Sequence, residues 1–104
     1  MDRIVKIISE HVYTYIDIAT GKIVNGQVIT ERSLLRKSLK DWEKELGDSF
    51  LRVSKQCIIN MEYVNRIDKV ILLKDGSEIS IPKLNVKKCQ DIFFDYCKRK
   101  MKWD

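Results

Sequence analysis

Two Asx-Gly dipeptides constrain the fold of this chain more than any other feature of its sequence. Asn25-Gly26 and Asp75-Gly76 each lie between short segments rich in valine, isoleucine and leucine. Both residues of such a pair tolerate the positive φ angles that a two-residue hairpin turn requires. The sequence therefore predicts two β-hairpins and, with them, a fold made largely of antiparallel strands.

Further strand signals cover much of the chain. Segments rich in β-branched and aromatic residues favour strands, and they span residues 4–8, 12–18, 50–60, 63–64, 70–73 and 78–81. Residues 19–22, Ala-Thr-Gly-Lys, indicate a turn after the second of these segments. Pro82 ends the last strand, because proline has no N–H to donate to a ladder.

One short internal helix is predicted over residues 39–46. Apolar residues recur there at spacings of four, three and four, which places them on one helical face; they are Leu35, Leu39, Trp42 and Leu46. Ser38, followed three residues later by Asp41, resembles a capping box. Gly47 stands where a left-handed residue ends many helices.

A second helix is predicted over residues 86–99, with Asn85 as its N-cap. Its apolar stripe follows the i, i+3, i+4, i+7, i+8 pattern, and its members are Cys89, Ile92, Phe93, Tyr96 and Cys97. The predicted fold is therefore mainly β, with short antiparallel strands, one short internal helix and a C-terminal helix. The length suits a single domain over residues 1–104.

The charge balance gives the first indication of function. The chain has a net charge of +5, and its pI is near 9.2. Residues 83–104 hold seven basic and three acidic residues, so they carry most of the excess. Clustered basic residues at such a pI are typical of nucleic-acid binders. The alternative is a protein with a solvated basic tail.

Composition argues against several other classes. We expect no membrane span and no secretory signal, since the apolar runs are short. Three cysteines at wide spacings favour a reducing, cytoplasmic location rather than a disulfide framework. His11, the one histidine, fits an exposed turn. Nothing assembles a catalytic or metal-binding group, so we predict no enzyme, no metal and no cofactor.

Three polar or basic groups are candidates for contact with nucleic acid. Ser54-Lys55-Gln56 interrupts an apolar segment; it is either an exposed turn or a loop that presents groups able to bond base edges. Lys83 follows Pro82, and Lys87 and Lys88 lie in the first turn of the predicted helix, where backbone N–H groups also attract phosphate. The third group is the segment 11–15.

Four segments, in order along the chain, resemble the LytTR DNA-binding domains. Residues 50–61, Phe-Leu-Arg-Val-Ser-Lys-Gln-Cys-Ile-Ile-Asn-Met, are similar to that family's Phe-x-Arg-Val-His-Arg-Ser-Tyr-Ile-Val-Asn-Leu. Residues 38–43, 12–16 and 73–83 resemble its Ser-Leu-Lys-x-Leu-Glu, Asn-Tyr-Val-Tyr-Ile and Leu-x-Asp-Gly-x-x-Ile-Pro-Val-Ser-Arg. The resemblance spans about residues 4–100.

The resemblance implies an elongated β-sandwich that serves as the output module of a bacterial response regulator. Such domains read successive major grooves of double-stranded DNA through loops, and they regulate transcription. It further implies a set of DNA-binding residues in three loops and at nearby phosphate-contact positions: Tyr13, Thr14, Tyr15, Ser54, Lys55, Gln56, Lys74, Lys83, Asn85, Lys87 and Lys88. Binding to repeated half-sites as a homodimer is compatible with this interpretation.

The sequence also departs from the family pattern. Ser54-Lys55-Gln56 replaces His-Arg-Ser, and lysine lacks the planar fork with which arginine reads guanine. Leu84 stands where a polar reading residue can occur, and residues 19–29 are longer than usual. With no receiver domain, the chain is either a free-standing regulator or a fragment. A protein-interaction module of the same fold and, less favoured, an RNA-binding protein remain as alternatives.

Overall fold

The computed structural model describes residues 3–101, which form two antiparallel sheets and two α-helices. The strands are β1 Ile4–Glu10, β2 Tyr13–Val24, β3 Gln27–Leu35, β4 Phe50–Ser54, β5 Cys57–Asn60, β6 Val64–Ile67, β7 Val70–Leu73 and β8 Glu78–Ser80. The helices are α1 Leu39–Glu45 and α2 Val86–Lys100. Short 3-10 helices at Met61–Tyr63 and Lys83–Asn85 complete the elements.

Within the described residues the strands divide into a five-stranded sheet, in the order β3-β2-β1-β5-β4, and a three-stranded sheet, β6-β7-β8. All the neighbouring strands within each sheet are antiparallel. The mainly β prediction, the internal helix and the C-terminal helix are therefore confirmed. The molecule measures 41 × 34 × 26 Å along its principal axes.

The five-stranded sheet is apolar on both faces, because its central strands alternate two buried sets. One set packs with the second sheet and α2, in a cluster whose fully buried members include Val5, Val53 and Ile59 of the first sheet, Ile71 and Leu73 of β7, and Cys89 of α2. The other set, Ile4, Ile7, Ile16 and Ile58, packs against Leu39 and Trp42 of α1. Burying each large side chain stabilises the fold by about 1.5–3 kcal/mol.

A charged cluster lies between the first sheet and the β7–β8 turn. The Lys6 Nζ atom is 3.0 Å from Asp17 Oδ2 and 2.6 Å from Asp75 Oδ2, and it donates to the Ser77 hydroxyl at 3.0 Å. Lys6 and Asp17 are both buried. The Arg32 Nε atom donates to Asp17 at 2.8 Å from the surface side. The cluster joins the two sheets through β1 and β2.

Both predicted hairpins are present. Asn25 and Gly26 have φ angles of 52° and 80°, and Gly76 has a φ of 88°. The Asp75 side chain accepts a hydrogen bond from the Ser77 backbone N–H at 2.9 Å. Ser38 caps α1 as predicted, since its hydroxyl accepts from the Asp41 N–H at 3.1 Å.

The predicted turn at residues 19–22 is wrong, because β2 continues to Val24. The register between β2 and β3 shifts at this point, and Gly21 takes a φ of 91°. The Thr20 hydroxyl donates to the Ile29 carbonyl at 2.9 Å and accepts from the Lys22 N–H. These bonds hold the irregular segment against β3, so that pairing overrides the local turn preference.

Three details at the helix ends also differ from expectation. Leu35 belongs to β3 and not to the helical face. Gly47 is not left-handed, because Leu46 leaves α1 in an extended conformation with φ −85° and ψ 148°. Asn85 precedes α2 but its side chain makes no capping bond. Instead its amide donates to the Val53 carbonyl on β4 at 3.1 Å.

Candidate nucleic-acid interface

One end of the five-stranded sheet gathers several polar segments that are distant in sequence. Strands β1 and β2 meet there at a turn that contains His11, which has a φ of 58°. Strands β4 and β5 meet there through Lys55 and Gln56. The Ser9 backbone N–H donates to the Gln56 carbonyl at 2.8 Å, which holds the two turns side by side.

The β4–β5 turn is held in shape by Arg52. Its Nε atom donates to the Ser54 carbonyl at 2.6 Å and its Nη2 atom to the Lys55 carbonyl at 3.1 Å. Its Nη1 atom lies 2.9 Å from the Glu43 carboxylate on α1. The Ser54 hydroxyl accepts from the Gln56 N–H at 3.1 Å. The side chains of Lys55 and Gln56 are consequently exposed on a fixed backbone.

The start of α2 lies beside this turn. The hydrogen bond from Asn85 to Val53 joins the 3-10 helix to the end of β4. A shallow surface depression spans both segments, and it is lined by Glu43, Arg52, Ser54, Lys55, Asn85 and Lys88. The structure therefore brings together four of the predicted DNA-binding residues, and the exposed Lys83 lies two residues before Asn85.

The predicted reading segment around Thr14 needs correction. Tyr13, Thr14 and Tyr15 lie in β2 rather than in a loop. The Thr14 side chain is buried, and its hydroxyl accepts from Trp42 Nε1 at 3.0 Å. Tyr15 is half-buried beneath the Arg32 guanidinium, which is 5.1 Å from the ring centroid. Of the three, only Tyr13 is exposed, next to the turn that contains His11.

The basic residues of the C-terminal region divide into two groups. Lys87 and Lys88 are exposed at the start of α2, and Lys87 lies 3.6 Å from Asp91. At the other end of the helix, Lys100 Nζ is 2.9 Å from the Glu62 carboxylate and Arg99 lies 3.4 Å from Asp95. Lys102, counted in the basic region, lies outside the described residues.

Lys74 lies away from the depression, beside Glu62. Its backbone N–H donates to the Tyr63 carbonyl at 2.7 Å. The pKa of Glu62 is lowered chiefly by its bond to Lys100, with Lys74 as a further positive charge nearby. The structure thus groups Lys74 with the far end of α2, apart from the other predicted DNA-binding residues.

Sequence reasoning missed three residues at this end of the molecule. Arg52 belongs to the segment that resembles the family motif, but the motif predicts no role for it, and its contacts with two carbonyls have no sequence signature. Arg36 is exposed directly after β3, at the same end of the sheet. Leu84, which stands where the family pattern can have a polar residue, is 95% exposed. A strand boundary placed after Leu35 would have indicated the position of Arg36.

The rest of the described chain offers little reactive chemistry. Burial raises the pKa of the Cys57 thiol to about 12 and also raises that of Cys89, so neither thiol ionises readily near neutral pH. Among residues 3–101, no group of three or more histidine, cysteine or acidic side chains is arranged to hold a metal ion. No helix in that range is long and apolar enough to cross a membrane.

Comparison with known proteins agrees with this architecture. The family model for the LytTr DNA-binding domain matches residues 2–93. A solved LytTr DNA-binding domain, from a putative methyl-accepting/DNA response regulator of Bacillus cereus, superposes with a TM-score of 0.63. The two are 15% identical, over 97% of this chain and 83% of that one. No curated protein sequence matches significantly. The chain therefore belongs to the LytTR family of DNA-binding domains.

Proposed function

We propose that this chain is a sequence-specific regulator of transcription that reads the major groove of double-stranded DNA. The observation that carries the proposal is the joining of the β4–β5 turn to the start of α2. Arg52 fixes the backbone of the turn and Asn85 joins the start of α2 to β4, while Lys55, Gln56 and Lys83 remain exposed. Exposed polar side chains on a fixed backbone suit direct readout of base edges.

Within this proposal some side chains contact bases and others contact phosphates. Gln56 can bond adenine through its amide, and Lys55 can donate to guanine acceptors. Lys83, Lys87 and Lys88 supply phosphate contacts at the start of α2, and Arg36 adds one beyond β3. Phosphate contacts provide affinity and register, whereas base contacts provide the choice of sequence. Thr14 has no direct role, because its hydroxyl is bonded to Trp42.

A selection from random duplex DNA, followed by salt titration of the enriched sequence, tests the proposal. The four proposed phosphate contacts give a plot of log K against log salt with a slope of about −3.6. Lys55→Ala should weaken binding, and if Lys55 also contacts phosphate the slope should become shallower by about 0.9. The absence of enrichment, or a slope near zero, would overturn the proposal.

Lys98→Ala is the matched control for Lys55→Ala. Lys98 is also an exposed lysine, but it lies near the end of α2. At 1.5 Å per residue it is about 18 Å along the helix from Val86. We expect this variant to bind the selected duplex as the parent chain does. An equal loss in both variants would mean that overall charge, rather than the β4–β5 turn, determines binding.

A second candidate function is a protein-interaction module of the same fold, and an exposed apolar patch favours it. Val12, Tyr13, Leu34 and Leu35 are 59%, 42%, 50% and 43% exposed. All four lie at the same corner of the sheet, because Tyr15 pairs with Leu34 and Thr14 with Leu35. Since side chains alternate along a strand, Tyr13 and Leu34 lie on one face of the sheet and Leu35 on the other. Because β3 is an edge strand, the patch also suits a homodimer on repeated half-sites.

Substitution in this patch separates the two functions. If the module binds protein only, Leu34→Glu abolishes its association with the partner while Lys55→Ala leaves association unchanged. If the patch forms a homodimer on DNA, Leu34→Glu removes binding to paired half-sites and spares binding to one half-site. Sedimentation of the chain, alone and with each duplex, distinguishes these outcomes.

A further inference from the structure

Leu84 combines full exposure with a fixed backbone. It is 95% exposed, more than any other large apolar side chain in the described part of the protein. It sits in the middle of the 3-10 helix Lys83–Asn85. The Asn85 N–H donates to the Pro82 carbonyl at 2.8 Å, and the Asn85 side chain is bonded to β4. Leu84 is therefore presented outward on a braced turn.

The surroundings of Leu84 are basic. Lys83 precedes it, Lys87 and Lys88 follow in the first turn of α2, and all three are exposed. Lys88 also lines the depression that contains Ser54 and Lys55. A single exposed leucine is ordinary on a protein surface. An exposed leucine surrounded by lysines, next to a polar turn, suits a ligand that has a small apolar group flanked by negative charges.

Duplex DNA presents that combination in its major groove. Each thymine places a C5-methyl group there, between the two phosphate backbones, and apolar side chains recognise it by contact. We propose that Leu84 is a specificity-determining residue that packs against the C5-methyl group of a thymine in the bound site. This inference rests on the proposed function, and it adds an apolar component to the readout by Lys55 and Gln56.

Replacing thymine with deoxyuridine in the selected duplex tests the inference, because deoxyuridine keeps the hydrogen-bonding groups and lacks only the methyl. Each thymine is replaced in turn and affinity is measured by fluorescence anisotropy. Loss of one buried methyl corresponds to about a fourfold weakening. We expect the parent chain to show this loss at one or two positions, and Leu84→Ala to show none there.

Ile23→Ala is the control, because Ile23 is 69% exposed near the far end of β2 and should leave the deoxyuridine penalty intact. Leu84→Ala should unfold at the same temperature as the parent chain, since its side chain makes little contact in the folded state. Binding that is sequence-specific but indifferent to every replacement, or a penalty that persists in Leu84→Ala, overturns this inference alone. Failure to enrich any duplex overturns it together with the proposed function.

Discussion

Lys6 and Lys55 show two opposite uses of the same side chain. Lys6 is 7% exposed and lies within 3.0 Å of both Asp17 and Asp75. Lys55 lies exposed on the β4–β5 turn, where only its backbone carbonyl is engaged, by Arg52. The buried lysine is satisfied by partners within the fold. The exposed lysine keeps its charge available to a partner outside it.

The difference follows from the cost of removing charge from water. A buried ion is tolerated only when opposite charges and hydrogen bonds replace its hydration, and breaking such a set leaves an uncompensated charge. An exposed ion contributes little to stability. Its attraction to phosphate depends strongly on salt, because binding releases counterions. Stability should therefore depend on the Lys6 cluster, and DNA affinity on the β4–β5 turn.

The largest expected effect is that of Lys6→Met, which leaves two buried carboxylates without their shared cation. We expect the free energy of unfolding to fall by about 3–5 kcal/mol, as when one partner of a buried pair is removed. Urea denaturation measures it. Lys87→Met is the control, since its exposed pair with Asp91 should contribute at most about 0.5 kcal/mol. Similar losses of unfolding free energy in both variants would contradict the claim that the buried lysine contributes more to stability than an exposed one.

Low pH should reduce the stability that the cluster of Lys6, Asp17 and Asp75 contributes to the fold. Burial alone would raise the pKa of Asp17, but hydrogen bonds from Arg32 and Lys6 outweigh it and lower the pKa below its ordinary 3.8. The pKa of Asp75 is lowered likewise, with Lys6 and Ser77 overcoming burial. Because the folded carboxylates bind protons less readily than the unfolded ones, their contribution is complete well above pH 4 and is lost as the pH falls through the folded pKa values.

Urea midpoints measured between pH 6 and pH 2.5 test this prediction. The midpoint should fall as the pH drops below about 4, and the fall should be steeper than in an Asp75→Asn variant, which has one fewer titrating carboxylate. A midpoint that is constant over this range would show that these pKa values do not differ between the folded and unfolded states.

Thr14→Val tests whether the segment around residue 14 is structural. The substitution leaves the buried Trp42 N–H without its acceptor, which should cost about 1–3 kcal/mol in the free energy of unfolding. DNA affinity, measured well below the unfolding temperature, should remain unchanged. Thr30→Val, at a half-buried position on β3, serves as the control for introducing valine into a strand. A selective loss of DNA affinity in Thr14→Val would restore Thr14 as a reading residue.

The elements that sequence predicted well are those governed by local geometry. The Asn25-Gly26 turn follows from tolerance of positive φ, and the Ser38 cap follows from a bond that spans three residues. Periodicity likewise located both helices. In each case the information lies within a few residues of the feature itself.

What sequence could not predict depends on partners distant in the chain. Thr14 is buried because Trp42, 28 residues later, donates to it. In the sequence, nothing distinguishes Lys6 from any other lysine in a strand. Its burial depends on Asp75, which is 69 residues away. Residues 19–22, which favour a turn locally, are part of a strand because they pair with β3. The same limit applies to the candidate interface, where Asn85 read as a helix cap but bonds β4 instead.

The smallest expected effect, Arg52→Lys, separates positioning from charge. Lysine keeps the positive charge but cannot donate to two carbonyls and Glu43 in the planar arrangement of arginine. We expect about a tenfold loss in affinity, corresponding to about 1.4 kcal/mol, because the β4–β5 turn loses its bracing. The salt slope should stay the same, since no phosphate contact is removed.

Anisotropy titrations of Arg52→Lys and Lys55→Ala at several salt concentrations make the comparison. A shallower slope in Arg52→Lys would mean that Arg52 itself contacts phosphate, and unchanged affinity would mean that the turn keeps its shape without the guanidinium. Lys44→Arg is the control for lysine–arginine exchange, because Lys44 is exposed on α1 and absent from the lining of the depression. Arg52 thus combines the two roles of a charged side chain: its charge is paired within the fold with Glu43, and its expected effect is on the proposed DNA-binding surface.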